Sequence, residues 1–395
     1  MHLSSNRGHV RAALFATALA LSLPFSTQAH SQQVIQTNLT TDSNAYLTSH
    51  GWAAAAFEDS NLINPWGMSY GATSPFWVSN QGMNNTTLYT GTGEPQALVV
   101  SITGGSPPVG PTGQAFTAGQ GFNMAGGGTA VFTFANLNGG ISAWMPSNGT
   151  NAVVQTITPN AVYTGLASGS SGGNNYLYAA NHSGGIDVFN QSFALTTLAG
   201  GFMDPNLPDG LTPFNVANIG GVLYVTFAQA GPDADEAPLG SGVVDRFNTD
   251  GTFIDRFVTG DVSNNVLSPW GLTQAPGAFG ALAGAILVGN FAEEDGFINA
   301  FDPTNGSYLG MLRSGSDPYS MPYLWSLGTR TGGLGNDPGA VYFTAGIGDE
   351  EHGLFGRLNA VPEPSSWAMM LLGFGAISLA IRRRNKATAP LIAAA

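Results

Sequence analysis

The stretches Asn64-Pro65-Trp66-Gly67-Met68 and Ser268-Pro269-Trp270-Gly271-Leu272 nearly repeat one another, although they lie far apart in a chain of 395 residues. Each opens a unit that continues with an alternating strand of β-branched and aromatic residues. A Gly-rich or acidic loop follows, then a strand of the form Gly-(Gly)-Ile-x-x-Phe, and finally a turn and an outer strand. The unit recurs six times, and such internal similarity is the strongest sequence indication of a repeat architecture.

The second and third strands of the unit can be placed in register along the whole chain. The second strands are predicted at residues 76–80, 130–134, 176–180, 223–227, 286–290 and 341–345. The third strands are predicted at residues 87–89, 140–144, 185–189, 242–247, 296–301 and 353–358. Asn-Gly or Asp-Gly turns follow three of the third strands, which is typical of hairpins because glycine supplies the positive φ.

A period of roughly 45 to 57 residues with four short strands is the spacing of a propeller blade. The sequence therefore predicts an all-β fold, a six-bladed β-propeller of four-stranded blades over residues 30–360. One blade leaves apolar surface and strand edges exposed, so the ring has to close. Residues 34–61 precede the first full unit, and we expect them to supply the strand that closes the ring against the last blade.

Residues 1–29 have the features of a secretory signal peptide. A basic, acid-free start runs into an apolar stretch at residues 12–25, and Thr27-Gln28-Ala29 supplies a small-residue ending. The stretch is short for a membrane span, and its ending is the pattern that signal peptidase cuts. We expect cleavage after Ala29, with a retained N-terminal anchor as the alternative.

The carboxyl end carries a second targeting signal. The motif Val361, Pro362, Glu363 and Pro364 leads into an apolar stretch at residues 367–381, and Arg382, Arg383 and Arg384 follow at once. Arginines beside an apolar helix stay in the cytoplasm, which leaves the body of the chain outside. The pattern predicts a single transmembrane helix within residues 361–386 and a short cytoplasmic tail at residues 387–395.

This three-part tail resembles the PEP-CTERM sorting signal, which an exosortase reads in Gram-negative bacteria that make extracellular polysaccharide. The exosortase is a membrane-embedded cysteine transpeptidase. The resemblance implies a transient stay in the inner membrane, cleavage near Pro362 to Pro364, and transfer of the body to a surface carrier or its release. A permanent single-pass anchor is the alternative.

The body of the chain also resembles a propeller family of environmental bacteria whose members carry PEP-CTERM tails. The similarity runs from about Thr37 to Leu358 and is strongest at residues 61–67, 219–226, 288–291 and 343–356. It implies the propeller fold and an extracellular location, and it brings no activity with it.

Charge excludes one class of partner. The body between the two targeting signals contains five arginines, no lysine and twenty-three acidic residues, which gives a net charge of −18. A phosphate backbone needs a basic face, so a nucleic-acid partner is not expected. Cations, neutral glycans and basic partners stay open. The chain has no cysteine, so its exported body has to be held together by its core alone.

Polar residues recur in the loops that, in a propeller, surround one mouth of the central channel. We expect binding residues among Asn80, Asn181, His182, Asn290 and His352. Carboxylate oxygens are the ligands of hard cations, and a Ca²⁺ site is predicted among Asp233, Asp235, Glu236, Glu293, Glu294, Asp295, Asp349, Glu350 and Glu351. Two alternatives to the Ca²⁺ site are acidic loops that are simply solvated, and general acid–base catalysis by His182 or His352 with Glu350.

The function that these patterns favour is an exported binding or structural module of the cell surface or extracellular matrix, more a binder than an enzyme. Its expected partners are signal peptidase, an exosortase and an extracellular glycan or surface protein, and no cofactor beyond Ca²⁺ is expected. The alternative is a metal-dependent propeller enzyme of the lactonase or lyase type. Five tryptophans, Trp66, Trp77, Trp144, Trp270 and Trp325, are predicted to pack between blades or to stack on sugar rings.

Overall fold

The computed structural model describes residues 31–102, 110–231, 237–294 and 296–362, together with residues 374 and 377. The predicted signal peptide and cytoplasmic tail lie outside the described residues. So do Glu363, Pro364, Arg382, Arg383 and Arg384, and nearly all of the predicted membrane helix. Within the described part of the chain, no helix combines the length and apolar character needed to span a bilayer.

Nearly all of the regular secondary structure in the described chain is strand, which confirms the all-β prediction. It begins with β1 (Gln32–Thr41), a short helix α1 (Asn44–Ser49) and β2 (Phe57–Glu58). The Ser43 hydroxyl caps α1 by accepting the Tyr46 N–H at 3.1 Å, a common way to satisfy a free amide at a helix start. Short 3₁₀ turns lie at Gln81–Met83, Pro146–Asn148 and Gly280–Leu282.

Four separate four-stranded antiparallel sheets follow in chain order. The first contains β3 (Pro65–Ser69), β4 (Phe76–Asn80), β5 (Asn85–Tyr89) and β6 (Val100–Ser101). The second contains β7 (Pro111–Phe116), β8 (Phe132–Asn136), β9 (Gly140–Trp144) and β10 (Val153–Ile157). The third contains β11 (Tyr163–Ser171), β12 (Asn174–Asn181), β13 (Ile186–Phe189) and β14 (Leu195–Thr196). The fourth contains β15 (Leu211–Ile219), β16 (Val222–Gln229), β17 (Val243–Phe247) and β18 (Phe253–Thr259).

The remaining eight strands join β1 and β2 in one ten-stranded sheet. They are β19 (Pro269–Gln274), β20 (Ile286–Asn290), β21 (Ile298–Phe301), β22 (Tyr308–Ser314), β23 (Asp317–Pro318), β24 (Leu324–Gly328), β25 (Ala340–Ala345) and β26 (Leu354–Ala360). One group of four is β19 to β22, and in the other β1 pairs antiparallel with β26, beside β25 and β24; the start of β1 also pairs in parallel with the end of β22, which joins the two groups. The segment predicted to pair with the last unit therefore does so.

The first strands of the six groups are neighbours in succession, from β3 through β7, β11, β15 and β19 to β24, and β24 again contacts β3. Together they line a cavity of about 420 Å³. Glycines permit this close approach. A β-carbon on Gly67 would overlap Thr112, and one on Gly113 would overlap the backbone of Leu166. Four-stranded sheets in this arrangement are consistent with a propeller.

The predicted second strands coincide with β4 and β20 and lie within β12, β16 and β25. One boundary is wrong, because β8 begins at Phe132 rather than at Ala130. The Ala130 N–H instead pairs with Phe122 in the preceding loop. Aromatic packing joins neighbouring sheets, and Trp77 stacks on Phe132 with ring centroids 4.0 Å apart. Trp77 is 3% exposed, and burying a ring of this size stabilises by roughly 3 kcal/mol.

Candidate functional site

A cavity of about 450 Å³ lies at the end of the first strands where the loops between second and third strands meet. All six groups of strands contribute to its wall. The lining residues are Trp66, Leu137, Val162, Thr164, His182, Ser183, Phe214, Gly231, Phe291, Trp325 and Glu350. A mainly apolar wall with a few polar groups is the usual composition of a small-molecule site.

Aromatic rings form the floor of this cavity, which we call the aromatic cavity. Trp325 stacks on Trp66 at 3.6 Å and on Phe291 at 4.0 Å between ring centroids. Phe214 stands at 63° to Phe291 with centroids 6.1 Å apart. Each of the four rings is at most 7% exposed. Because the rings support one another on several sides, the floor is rigid.

The three indoles near the channel differ in their hydrogen bonds. Trp270 donates to the Thr164 carbonyl oxygen at 3.1 Å, and Trp325 donates to Asn64 Oδ1 at 3.2 Å. Trp66 Nε1 is buried and has no acceptor among the described residues. The two remaining predicted tryptophans, Trp77 and Trp144, pack together between the first and second sheets, as the core interpretation expected.

His182 is the predicted binding residue that lines the aromatic cavity from the third sheet. Its Nδ1 lies 2.9 Å from Thr212 Oγ1, and its Nε2 lies 3.3 Å from the amide nitrogen of Gly231. These contacts join two neighbouring loops. The carbonyl oxygens of Pro213 and Gly231 lie 3.4 Å from Nδ1 and Nε2, respectively, so each ring nitrogen has a hydrogen-bond partner in either neutral tautomer.

Glu350 is the second predicted residue that lines this cavity. It lies in the turn between β25 and β26, where Asp349 and Glu350 both have positive φ, at +53° and +63°. Few residues other than glycine adopt this conformation, and it is often found at functional sites. The turn is tied to the aromatic floor, because the Tyr323 hydroxyl donates to Asp349 Oδ1 at 3.1 Å.

The three asparagines predicted to bind a ligand are hydrogen-bonded within the fold. Asn80 and Asn290 are fully buried. Asn80 donates to Asn85 and Thr87, whereas Asn290 accepts the Leu267 N–H at 3.0 Å and donates to the Phe297 carbonyl. Asn181 accepts the amides of Val162 and Ser183, each at 3.1 Å. These side chains hold loops in place, and none of the three lines the aromatic cavity.

His352 lies on the outer side of the β25–β26 turn. Its Nδ1 is 2.6 Å from Asp42 Oδ2, and its ring packs on Tyr46 at 4.0 Å. Burial raises the pKa of Tyr46, and the nearby carboxylates of Asp349, Asp42 and Glu351 raise it further. His352 thus fixes α1 against the last sheet, and it does not share a site with His182.

The predicted calcium ligands are distributed over several loops. Glu293, Glu294, Asp349 and Glu351 are exposed, and Glu350 is half-buried. In the described part of the chain, no three Asp, Glu or His side chains lie close enough together to hold one ion. Asp233, Asp235, Glu236 and Asp295 lie outside the described residues. The calcium site therefore stays a prediction.

The apolar lining residues Leu137, Phe214 and Phe291 were not predicted to be functional. Two of them had a sequence signal. Leu137 and Phe291 directly follow a strand-end asparagine, in the position that His182 occupies after Asn181. Aligning the repeat units at that asparagine would have found them.

A family model, the PEP-CTERM protein-sorting motif, matches residues 360–384. This agrees with the resemblance seen in the sequence, and it indicates export through the membrane and processing by an exosortase. Val361 and Pro362 belong to the described part of this motif. The Val361 N–H donates to the Gln33 carbonyl at 2.8 Å, so the motif begins where β26 ends and β1 begins.

Solved structures similar to this chain include two lyases. A streptogramin B lyase has 12% identity and a TM-score of 0.47, over 83% of this chain and 97% of that one. A virginiamycin B lyase from Staphylococcus aureus has 11% identity and a TM-score of 0.45, over 83% and 99%. Likeness at this level carries no inference about activity.

Two sequence relatives come from Acanthamoeba polyphaga mimivirus, and both are described as uncharacterized proteins. Protein L690 is 34% identical over 336 residues, which covers 79% of this chain and 84% of the relative. Protein R648 is 30% identical over 331 residues, which covers 79% of each. The bacterial membership predicted above stays a prediction. The chain belongs to the same protein family as mimivirus L690 and R648.

Proposed function

We propose that this chain is an exported binding module of the cell surface or extracellular matrix. In this proposal the six groups of strands are the blades of one closed propeller, an exosortase processes the tail, and a small, largely apolar ligand occupies the aromatic cavity. The contact of β24 with β3 and the pairing of β1 with β26 support the closed ring.

The aromatic cavity is the observation that carries the binding function. Its wall is assembled from loops and first strands of every group, so it exists only in the folded whole. Four buried rings give it an apolar floor, while His182, Ser183 and Glu350 are polar groups able to orient a ligand. A volume of about 450 Å³ lies within the range of small-molecule pockets.

A neutral fluorescent probe tests this proposal. N-phenyl-1-naphthylamine brightens in apolar surroundings, and we expect saturable binding to one site on the purified chain. Replacing Val162 with phenylalanine puts a ring into the cavity and should weaken binding at least tenfold. The matched control is Val262→Phe, because Val262 is 88% exposed and lies outside the cavity wall. Binding that Val162→Phe leaves unchanged would contradict the proposal.

The sorting part of the proposal has its own test. In a bacterium with an exosortase, the mature protein should lack residues beyond the motif, as mass spectrometry of its C-terminal peptide would show. Deleting the exosortase gene should leave the tail attached and the protein in the inner membrane. An intact tail in both strains would favour the permanent anchor.

A metal-dependent lactonase or lyase is the other function that the acidic loops predict. His182 and Glu350, which line one cavity, are the described residues that favour it. Metal-dependent opening of a lactone probe that disappears in His182→Gln would support the enzyme. Probe binding without turnover, with and without added Mg²⁺ or Ca²⁺, would leave the binding module as the better account.

A further inference from the structure

We infer that the ligand of the aromatic cavity is an organic cation, a quaternary ammonium or a comparable alkylated amine. This inference rests on the proposed function, because it names the class of ligand for the same site. Three features of the cavity lead to it: the faces and edges of its rings, the carboxylate of Glu350, and the charge of the molecule around it.

The aromatic floor provides the first part of the argument. Aromatic faces carry partial negative charge and attract cations placed within about 6 Å of the ring centre. Trp66, Phe214, Phe291 and Trp325 all border the same cavity, and Phe214 stands at a steep angle to Phe291. A group of methyl substituents around a positive nitrogen can therefore contact more than one ring.

The second part is the carboxylate of Glu350, the one acidic side chain among the described residues of the wall. Glu350 lines the cavity, and its turn is held by the bond from Tyr323 to Asp349 and by the Glu350 N–H bonded to the Gly346 carbonyl at 3.0 Å. Tyr323 also leads directly into β24, the strand of Trp325. The turn that carries Glu350 is thus joined to the strand that carries Trp325.

The third part is the charge of the surroundings. The body carries a net charge of −18, and no arginine among the described residues lines the cavity. Arg246 pairs with Asp255 at 2.6 Å, and Arg330 lies over the rings of Tyr70 and Phe76. The field of the whole body repels an anionic ligand and attracts a cation.

Other ligand classes fit this wall less well. Calcium takes six to eight oxygen ligands, whereas among the described wall residues the side-chain oxygens belong to Thr164, Ser183 and Glu350. A sugar needs many hydrogen bonds, whereas the described polar side chains of the wall are those of Thr164, His182, Ser183 and Glu350.

Choline and its neutral isostere 3,3-dimethylbutan-1-ol test the inference, because they share a shape and differ in charge. Each would compete with N-phenyl-1-naphthylamine on the full-length chain, at pH 8, constant ionic strength and without detergent micelles. We expect choline to displace the probe at a concentration at least tenfold lower than the alcohol does.

Two variants that change the net charge equally locate the effect. Glu350→Gln should bring the ratio of the two displacing concentrations close to one, while its binding of the neutral probe shows that the cavity is intact. Glu351→Gln, at an exposed neighbour outside the cavity wall, should keep the ratio. Equal displacement by both compounds in the native chain would overturn the inference and leave the proposed function standing. Absence of probe binding would remove both.

Discussion

Asp245 allows a prediction about pH that follows directly from its surroundings. It lies on β17, is fully buried, and neither of its oxygens has a hydrogen-bond partner in the described structure. Burial raises the pKa of Asp245, and the carboxylate of Asp204 raises it further. Arg256, whose Nε lies 3.6 Å from Asp245 Oδ1, lowers it, and the resulting pKa is about 8. Arg256 pairs mainly with Asp204, whose pKa it lowers against the effect of burial. Two carboxyls thus share one guanidinium, and Asp245 keeps its proton at neutral pH.

The sign of the effect on stability follows from proton linkage. Between pH 5 and pH 7 the folded chain holds a proton on Asp245, whereas the unfolded chain, with an ordinary pKa near 3.8, does not. The free energy of unfolding therefore falls as pH rises, by about 1.4 kcal/mol per pH unit from this group alone. Over two units this amounts to about 2.7 kcal/mol.

Asp245→Asn isolates this contribution, because asparagine has the shape of the protonated acid and does not titrate. We expect the free energy of unfolding of the variant, relative to that of the native chain, to rise by about 2.7 kcal/mol from pH 5 to pH 7. Urea unfolding at each pH measures this difference. Asp255→Asn, which removes an exposed partner of Arg246 on β18, is the control for losing one carboxylate. A difference between Asp245→Asn and the native chain that stays constant from pH 5 to pH 7 would refute the reasoning.

Three further predictions concern ring closure, the inner strands and calcium. Gln32 is fully buried, and its side chain hydrogen-bonds the carbonyls of Gln33 and Val361 and the amide of Ala281 before β20. Gln32→Ala should therefore lower the free energy of unfolding by roughly 1–3 kcal/mol. The less buried Gln33→Ala is the control. Gly113→Ala should prevent or strongly destabilise folding, since its β-carbon meets backbone, whereas Gly277→Ala meets open space; equal circular dichroism melting temperatures would contradict this. If calcium binds the acidic loops of the native chain, the melting temperature must be higher in millimolar Ca²⁺ than in EDTA, and equal temperatures would count against the site.

The sequence was a reliable guide to the strands because their signals are local. Alternating apolar residues and Asn-Gly or Asp-Gly turns act within a few positions of each other, and five of the six second strands lie where they predict. The boundary of β8 was missed because Ala130 pairs with Phe122 across a loop, a contact that no local pattern encodes. The pairing of β1 with β26 could be predicted because a ring of such sheets leaves only one free edge at each end of the chain.

The aromatic cavity could not be predicted in the same way, because its wall is assembled from residues of all six groups of strands. Phe214 and Trp325 lie more than a hundred residues apart in the chain, and their contact depends on the angle between two sheets. Sequence reasoning found His182 and Glu350 because polar loop residues stand out against an apolar chain. It also selected Asn80 and Asn290 for the same reason, although their amides are used inside the fold.

The strand-end asparagines explain how one position in the repeat can be structural and the next can be functional. Asn181 accepts the amides of Val162 and Ser183, which fixes the third loop against the entry to β11. Asn290 does the same for the entry to β19 through the Leu267 amide. With the loop fixed, the following side chain is directed to the mouth of the channel, where His182 and Phe291 both line the cavity. In these two groups the asparagine therefore fixes the loop, and the residue after it contributes to the cavity wall.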